Sequence, residues 1–145
     1  MAVGSLFSLS ASKFSQRRSR VIIPASPQEV YDSYVDSKKR SEFTGHKATG
    51  GKPVVGGKYT GIDEHISGKY LELENGKRIV SEWTSIDYDY GPSKLELFFK
   101  KVPAGTELTI VLSDVPEDQI DEAADAWKEY WWDPLKNYFS KTIKP

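Results

Sequence analysis

The residue types that most often carry chemistry are sparse in this 145-residue chain, which has two histidines and no cysteine. Without cysteine the chain has no disulfide, no thiolate zinc site and no cysteine nucleophile. His46 and His65 would have to anchor any metal site, and Asp63-Glu64-His65 is a suggestive trio. Because neighbouring side chains on a turn rarely converge on one ion, we interpret the trio as a solvated hairpin tip and predict no metal site.

A general base is equally hard to find. Glu82 lies within a predicted strand beside Trp83, and alternation places its side chain on the opposite, solvent-facing side. A bulge that turned Glu82 inwards would raise its carboxyl pKa through burial and make it the leading acid–base candidate. Neither a GxSxG arrangement nor a phosphate-binding glycine motif is present. We therefore predict no catalytic residue and no cofactor.

Composition argues against several classes of partner. Twenty basic and 21 acidic residues leave a net charge of −1, so no overall field favours nucleic acid. No apolar run approaches the ~20 residues of a membrane-spanning helix. These features predict a soluble, cytoplasmic protein with a flexible leader over residues 1–16 and a single domain over residues 17–145. Residues 1–20 lack acids and are rich in serine and arginine, so a mitochondrial transit peptide is the alternative for them.

The elements that must position these side chains begin with a strand and two short helices. A β-branched run predicts a strand over residues 17–23. The pattern Ser26-Pro27-Gln28-Glu29 is typical of a capping box and predicts a helix over residues 27–36. A second short helix, anchored by Phe43, is predicted over residues 38–43.

The middle of the chain predicts an antiparallel sheet. Glycine doublets between residues 45 and 68 indicate short strands joined by tight turns. Asn75-Gly76 favours a type I′ hairpin turn, because both residues tolerate positive φ. Alternation of apolar and polar residues implies a sheet with one buried face. The longer predicted strands are residues 66–74, 77–86, 94–102 and 106–113.

The last thirty residues predict one long helix that carries three of the four tryptophans. Apolar residues recur at steps of three and four from Ile120 to Phe139 and form one face. Pro134 falls inside this helix, so we expect a kink or break over residues 130–134. Because consecutive side chains point ~100° apart, the triplet Tyr130-Trp131-Trp132 should leave at least one aromatic partly exposed.

Four blocks of sequence, taken in order, carry a family resemblance. They are residues 23–31, residues 56–59 with 66–68, Ile79-Val80 with Trp83, and Trp127 with residues 130–132, Leu135-Lys136 and Phe139. Together they resemble the activator of heat shock protein 90 ATPase family, specifically the C-terminal domain of that co-chaperone. This family is part of the START-like (SRPBCC) helix-grip superfamily, which includes polyketide cyclases and the birch-pollen allergen.

The resemblance implies an α+β helix-grip fold. In this fold a curved antiparallel sheet of six or seven strands wraps on the long C-terminal helix, with two short helices after the first strand. Asp63-Glu64 lacks the glycine of the family's usual Asp-Gly pair. Leu112 and Asp114 stand where many relatives carry a polar residue and a glycine. The co-chaperone's separate N-terminal domain, which drives ATPase stimulation, has no room in 145 residues, so the resemblance implies the fold more directly than the activity.

Two functional hypotheses follow. The first is a non-catalytic binding module related to the chaperone activator and to the stress response. It would bind a small apolar ligand under the C-terminal helix, a protein partner such as the chaperone ATPase, or both. The second is a small polyketide cyclase or aromatase, which would need a polar pair in the cavity to deprotonate a ketone. Ionisable groups lining the cavity would favour catalysis, and the apolar and aromatic walls predicted here favour binding.

The candidate site residues form two sets. The predicted walls of the ligand cavity are Tyr34, Phe43, Tyr59, Trp83, Leu97, Phe99, Leu112, Trp127 and Trp131. The predicted partner contacts are Tyr88, Tyr90, Tyr130 and Trp132. Each set has a structural alternative, since the walls could be ordinary core residues and the contacts could pack on neighbouring turns or on Phe43.

Replacing Trp127 by alanine is expected to lower the free energy of unfolding by ~3–5 kcal/mol, because it empties the space of a large core aromatic residue. Thermal or chemical denaturation measures this change. An unchanged midpoint would show that Trp127 is not a core residue.

Overall fold

The computed structural model of the chain describes residues 14–50, 53–63, 65–86 and 90–143. Within these residues it shows a six-stranded antiparallel sheet with strand order β1-β6-β5-β4-β3-β2. The strands are β1 (Phe14–Ile23), β2 (Lys58–Gly61), β3 (Ile66–Glu74), β4 (Arg78–Ser85), β5 (Ser93–Val102) and β6 (Gly105–Pro116). The helices are α1 (Pro27–Val35), α2 (Ser37–Thr44), α3 (Ile120–Trp127) and α4 (Asp133–Ile143). A π-helical turn, Lys128–Trp132, joins α3 to α4. The predicted α+β architecture is confirmed.

Local signals in the sequence explain the two short helices. The Ser26 hydroxyl accepts a hydrogen bond from the Glu29 N–H (3.2 Å), and the Glu29 carboxylate accepts one from the Ser26 N–H (3.1 Å). This reciprocal capping box starts α1, as predicted. The Asp36 carboxylate then accepts from the N–H of Lys38 (2.9 Å) and starts α2. Gly45, at φ 76°, ends α2.

The sheet buries the face that alternation predicts. The inward residues of its central strands are Ile79, Ser81 and Trp83 on β4, Leu95, Leu97 and Phe99 on β5, and Leu108, Ile110 and Leu112 on β6. Helices α3 and α4 pack against β1 and β6, α1 lies on β5 and β6, and α2 contacts β2. The C-terminal helix therefore lies over the β1–β6 side of the sheet, and its tryptophan rings reach across to β4 and β2. No helix in the described residues is long and apolar enough to cross a membrane.

The edge strand β1 and its neighbour β6 are longer than predicted, and the extra residues at the start of β1 pair with those at the end of β6. Strand β1 begins at Phe14, which pairs with Pro116 at the end of β6. Residues 14–16 therefore belong to the sheet and not to a leader, while residues 1–13 lie outside the described part. A register shift accommodates Asp114, whose φ of 62° lies in the left-handed region. The chain consequently stays in the sheet to Pro116, and the helix starts at Ile120, not directly after the predicted strand.

The predicted type I′ turn between β3 and β4 is wrong. Glu74 pairs with Arg78, which leaves a three-residue loop, whereas a type I′ hairpin needs a two-residue loop. Only Gly76 has a positive φ (72°) in this loop; Asn75 does not. The Gln28 side chain, reaching from α1, donates a hydrogen bond to the Asn75 side chain (2.9 Å), so a tertiary contact holds the loop.

The π-helical turn keeps the buried residues of the C-terminal helix on one face. The buried residues Ala123, Trp127, Trp131, Leu135 and Phe139 recur at steps of four. At 100° per residue, such a row would wind about 160° around an unbroken α-helix. The one extra residue in the π-helical turn cancels about 100° of that rotation. The insertion precedes Pro134, which cannot donate to the carbonyl four residues earlier, so the predicted break at residues 130–134 is confirmed.

Arg40 is a buried cation that no pattern in the sequence indicates. Its side chain is 1% exposed, and its guanidinium donates to the carbonyl oxygens of Tyr34, Thr49 (2.9 Å) and Thr60 (3.2 Å). It also lies 5.2 Å from the centroid of the Tyr59 ring. No carboxylate pairs with it among the described residues. Arg40 therefore ties α1, the segment before β2 and β2 itself together at the β2 edge of the sheet.

Replacing Arg40 by methionine is expected to lower the free energy of unfolding by ~2–4 kcal/mol. The aliphatic replacement keeps the bulk but removes the guanidinium hydrogen bonds to the carbonyl oxygens of Tyr34, Thr49 and Thr60. Lys39→Met, on the exposed side of the same helix, is the matched control and should change stability by less than ~0.5 kcal/mol. Equal denaturation midpoints for the two variants would contradict this role of Arg40.

Gly68→Ala is expected to lower the free energy of unfolding by ~1–3 kcal/mol, because a Cβ at residue 68 would overlap the Tyr59 ring that lies across it. Gly91→Ala is the control, since a Cβ there meets no atom within 4 Å. Urea denaturation of both variants tests the contact. A Gly68→Ala protein as stable as Gly91→Ala would show that Tyr59 does not lie over the strand in solution.

Candidate functional site

The side chains that were predicted to line a ligand cavity fill the interior themselves. The enclosed space under the helix has a volume of about 20 Å³, room for roughly one water molecule. Sites for organic ligands usually measure ~300–1,000 Å³. Of the nine predicted wall residues, the structure brings six around this space: Tyr34, Tyr59, Trp83, Leu97, Trp127 and Trp131. Phe43, Phe99 and Leu112 are buried elsewhere in the same core.

Stacked aromatic rings occupy the volume. Trp127 stacks on Trp131 with ring centroids 4.8 Å apart, and Trp131 is nearly parallel to Tyr34 at 6.1 Å. Trp83 contacts Trp127 from the sheet at 5.5 Å. The far edge of the Trp131 ring reaches the backbone of Gly61, where a Cβ would come within 3.0 Å. These contacts make the interior a packed core.

The interior carries more ionisable groups than predicted. Arg40, Tyr34, Tyr59 and Tyr70 line the enclosed space beside the apolar residues. Burial raises the pKa values of the Tyr34 and Tyr59 hydroxyls well above the usual tyrosine range, so both stay protonated near neutral pH. The Tyr59 hydroxyl is hydrogen bonded to Ser81 (2.6 Å). These groups can hold hydrogen bonds, but a substrate has no room beside them.

An open cleft lies on the other side of the same tryptophans. It has a volume of about 400 Å³ and separates the β2–β3 turn and the end of β4 from α3 and the π-helical turn. We call it the helix–turn cleft. Its lining residues are His46, Ile62, Asp63, His65, Ile66, Trp83, Ser85, Glu122, Ala126, Trp127, Tyr130 and Trp131.

The helix side of the cleft is a row of residues four apart. Glu122, Ala126 and Tyr130 lie one above another on the same face. Ala126 has the smallest side chain of the three, so it leaves a gap between the carboxylate and the phenol ring. The sequence pattern missed this row, because its members are mixed in polarity and are not part of the apolar face.

The turn side of the cleft is strained and firmly held. Ile62 and Asp63 have φ values of 50° and 56°, and a β-branched residue in this region costs ~1–2 kcal/mol. The Asp63 carboxylate accepts hydrogen bonds from His46 Nδ1 (2.9 Å) and from the Lys47 N–H (2.8 Å). These bonds lower the pKa of the Asp63 carboxyl, the His46 bond contributing most. They hold a turn in which two consecutive residues other than glycine have positive φ.

The trio Asp63-Glu64-His65 at this turn is only partly described, since Glu64 lies outside the described residues. Within the described part of the chain, no three histidine or carboxylate side chains are grouped as metal ligands. Asp63 instead pairs with His46. Glu82 lies on the outer face of β4, as alternation predicts, and its carboxylate is 3.7 Å from the Lys69 ammonium.

The structure places the predicted partner contacts in different environments. Tyr130 is 44% exposed at the rim of the cleft, so the expectation of one exposed aromatic in its triplet is confirmed. Trp132 is 7% exposed and faces β1 and β6, so it does not offer a surface contact. The π-helical turn rotates it inwards together with Trp131. Tyr90 is half-buried against the core, and Tyr88 lies outside the described residues.

Ile86 extends the exposed apolar rim beside the cleft. It is 73% exposed, and its N–H donates to the carbonyl of His65, which lines the cleft. Sequence reasoning did not select it, because it was assigned to the end of a strand. Tyr130 and Ile86 thus belong to the exposed surface around the helix–turn cleft.

Several known proteins are similar to this chain. It is 26% identical over 115 residues to the human protein "Activator of 90 kDa heat shock protein ATPase homolog 1", covering 79% of this chain and 34% of that protein. It is 28% identical over 121 residues to the Dictyostelium discoideum homologue of that activator, covering 82% of this chain and 31% of that protein. The chain therefore spans about a third of the length of these relatives.

Solved structures share the fold at lower identity. An HSP90 activator from Plasmodium falciparum superposes with a TM-score of 0.73 at 16% identity, covering 89% of this chain and 97% of that one. CalU16 from Micromonospora echinospora superposes with a TM-score of 0.70 at 21% identity, covering 90% and 78%. The helix-grip fold predicted from the resemblance is confirmed.

The sequence model of one protein family, described as "Activator of Hsp90 ATPase homolog 1-like protein", matches residues 24–140. That span runs from the end of β1 into α4, so it includes both sides of the helix–turn cleft. The chain belongs to this family of Hsp90 ATPase activator-like proteins.

Proposed function

We propose that this chain is a non-catalytic protein-binding module that docks on the 90 kDa heat shock protein through the helix–turn cleft and its exposed rim. One observation carries the choice of site: the interior has room for about one water molecule, whereas the cleft offers about 400 Å³ beside an exposed tyrosine. The names of the relatives, activators of the 90 kDa heat shock protein ATPase, suggest the partner.

The surface around the cleft has the composition of a protein contact. Tyr130 and Ile86 are large apolar side chains with exposures of 44% and 73%. Tyrosine is enriched among residues that contribute most to binding, especially next to a pocket that a partner side chain fills. The Asp63–His46 pair holds the turn side in place before any partner arrives, which limits the entropy lost on binding.

The same volumes weigh against the other hypotheses. A small apolar ligand under the helix would have to displace the stacked Trp127, Trp131 and Tyr34 rings. A cyclase would need both that space and an ionised base, and the pKa values of the enclosed tyrosines are raised. The cytoplasmic location and the role in the stress response depend on the proposed partner and stay predictions.

The proposal predicts that Tyr130→Ala weakens binding to the purified 90 kDa heat shock protein at least ~10-fold, the usual loss at a contact that dominates an interface. Titration calorimetry measures the affinity, and the exposed position of Tyr130 should leave the unfolding midpoint unchanged. Phe14→Ala is the matched control, since Phe14 is also an exposed aromatic (57%) but lies at the end of β1.

Two results would overturn the proposal. One is a wild-type chain that does not bind the chaperone at all. The other is equal loss of affinity in the Tyr130 and Phe14 variants, which would place the contact away from the cleft.

A further inference from the structure

We infer that the helix–turn cleft recognises a basic side chain, lysine or arginine, presented by an exposed segment of a protein partner. This inference rests on the proposed function for the class of partner. The chemistry of the recognised group comes from the cleft itself, through its charge, its aromatic walls and its shape.

The cleft has a net negative charge in a chain that is nearly neutral. Asp63 and Glu122 contribute carboxylates to its lining, and among the described residues no lysine or arginine lines it. Over the whole chain basic and acidic residues are almost balanced, 20 against 21. The Asp63 carboxyl stays ionised because His46 and the Lys47 N–H are hydrogen bonded to it. An anionic group entering the cleft would therefore meet two carboxylates, of which only Asp63 is paired, with His46.

Glu122 is the carboxylate available to a partner. It is exposed and makes no hydrogen bond or ion pair with the described residues. The preceding residue, Asp121, has the opposite arrangement, since its carboxylate is 2.7 Å from the Arg17 guanidinium on β1. The two adjacent acids thus differ in position, since only Glu122 lines the cleft, and in partner, since only Asp121 is ion-paired.

The aromatic walls suit the stem and the charge of a basic side chain. Trp83, Trp127, Trp131 and Tyr130 line the cleft beside the carboxylates. The aliphatic stem of lysine or arginine buries well along such rings while its charged end stays near water and acids. A cation over an aromatic face is also attracted by the negative charge density of the ring. A purely apolar occupant would cover both carboxylates without replacing their hydration, which is costly.

The gap at Ala126 gives the side chain its path. Glu122 lies one helical turn before Ala126, and Tyr130 lies one turn after it. A long side chain that enters over Ala126 passes between the ring and the carboxylate. Ile86 and Tyr130, on the exposed rim, would contact the residues that flank the basic one in the partner segment.

The inference is tested by NMR titration of the whole chain with amino acids capped by acetyl and methylamide groups. Capped lysine and arginine are the probes. Capped norleucine keeps the lysine stem without its charge, and capped glutamate has the opposite charge. The expected result is a saturable shift of tryptophan indole N–H signals, with the basic probes binding at least ~5-fold tighter than norleucine and losing that advantage at high salt.

Three variants assign the preference to residues. Glu122→Gln should reduce the advantage of lysine over norleucine below ~2-fold. Asp121→Asn should keep it, because Asp121 does not line the cleft and its carboxylate is paired with Arg17. Ala126→Leu should block all the probes without disturbing the helix, since leucine is a good helix former. If Ala126→Leu proves unfolded, the comparison of the two acid variants still decides the matter.

Several outcomes would overturn the inference: no saturable binding of the basic probes, norleucine or glutamate binding as tightly as lysine, or an unchanged lysine preference in Glu122→Gln. Free butylammonium binding more tightly than capped lysine would also overturn it, in favour of a small amine as the occupant.

The two proposals can fail separately. Chaperone binding that depends on Tyr130 but ignores Glu122→Gln, together with no preference for basic probes, would leave the proposed function standing and remove this inference. Selective binding of basic probes without any chaperone binding would leave the cleft chemistry standing and remove the proposed partner.

Discussion

The stacking of Trp127 on Trp131, and of Trp131 on Tyr34, is the contact on which the rest of the structure depends. The π-helical turn beside these rings keeps the buried row from Ala123 to Phe139 on one face, and the chain gives up regular α-helical hydrogen bonding there. Because the rings fill the volume between helix and sheet, the enclosed space shrinks to about 20 Å³. The outer sides of the same rings become the wall of the open cleft.

This packing decides where the molecule can bind. A curved sheet wrapped on a helix can enclose a ligand cavity, or it can pack into a solid core and leave only a cleft at its edge. The side chains between sheet and helix decide which of the two forms. Here Arg40 and the aromatic stack close the interior. The strained turn at Ile62 and Asp63 is kept because the hydrogen bonds to His46 and Lys47 compensate for it.

Features that depend on nearby residues were predictable. The capping box at Ser26 and Glu29, the inward face of β4 to β6 and the interruption before Pro134 each follow from a local rule of hydrogen bonding or periodicity. The errors came from distant partners. The Asn75-Gly76 turn is set by Gln28 on α1, and the end of β6 is set by its pairing with Phe14.

By itself the sequence determined the helix-grip architecture and the set of aromatic residues between helix and sheet, because alternation, capping and steps of four are local constraints. Whether those aromatics enclose a ligand cavity or pack into a core depends on how their rings meet, and only the tertiary structure decided that. The same holds for Arg40, which is buried because carbonyl groups from three separate segments converge on it. The helix–turn cleft is likewise tertiary, since Glu122 and Asp63 line one cleft only when the helix lies beside the turn.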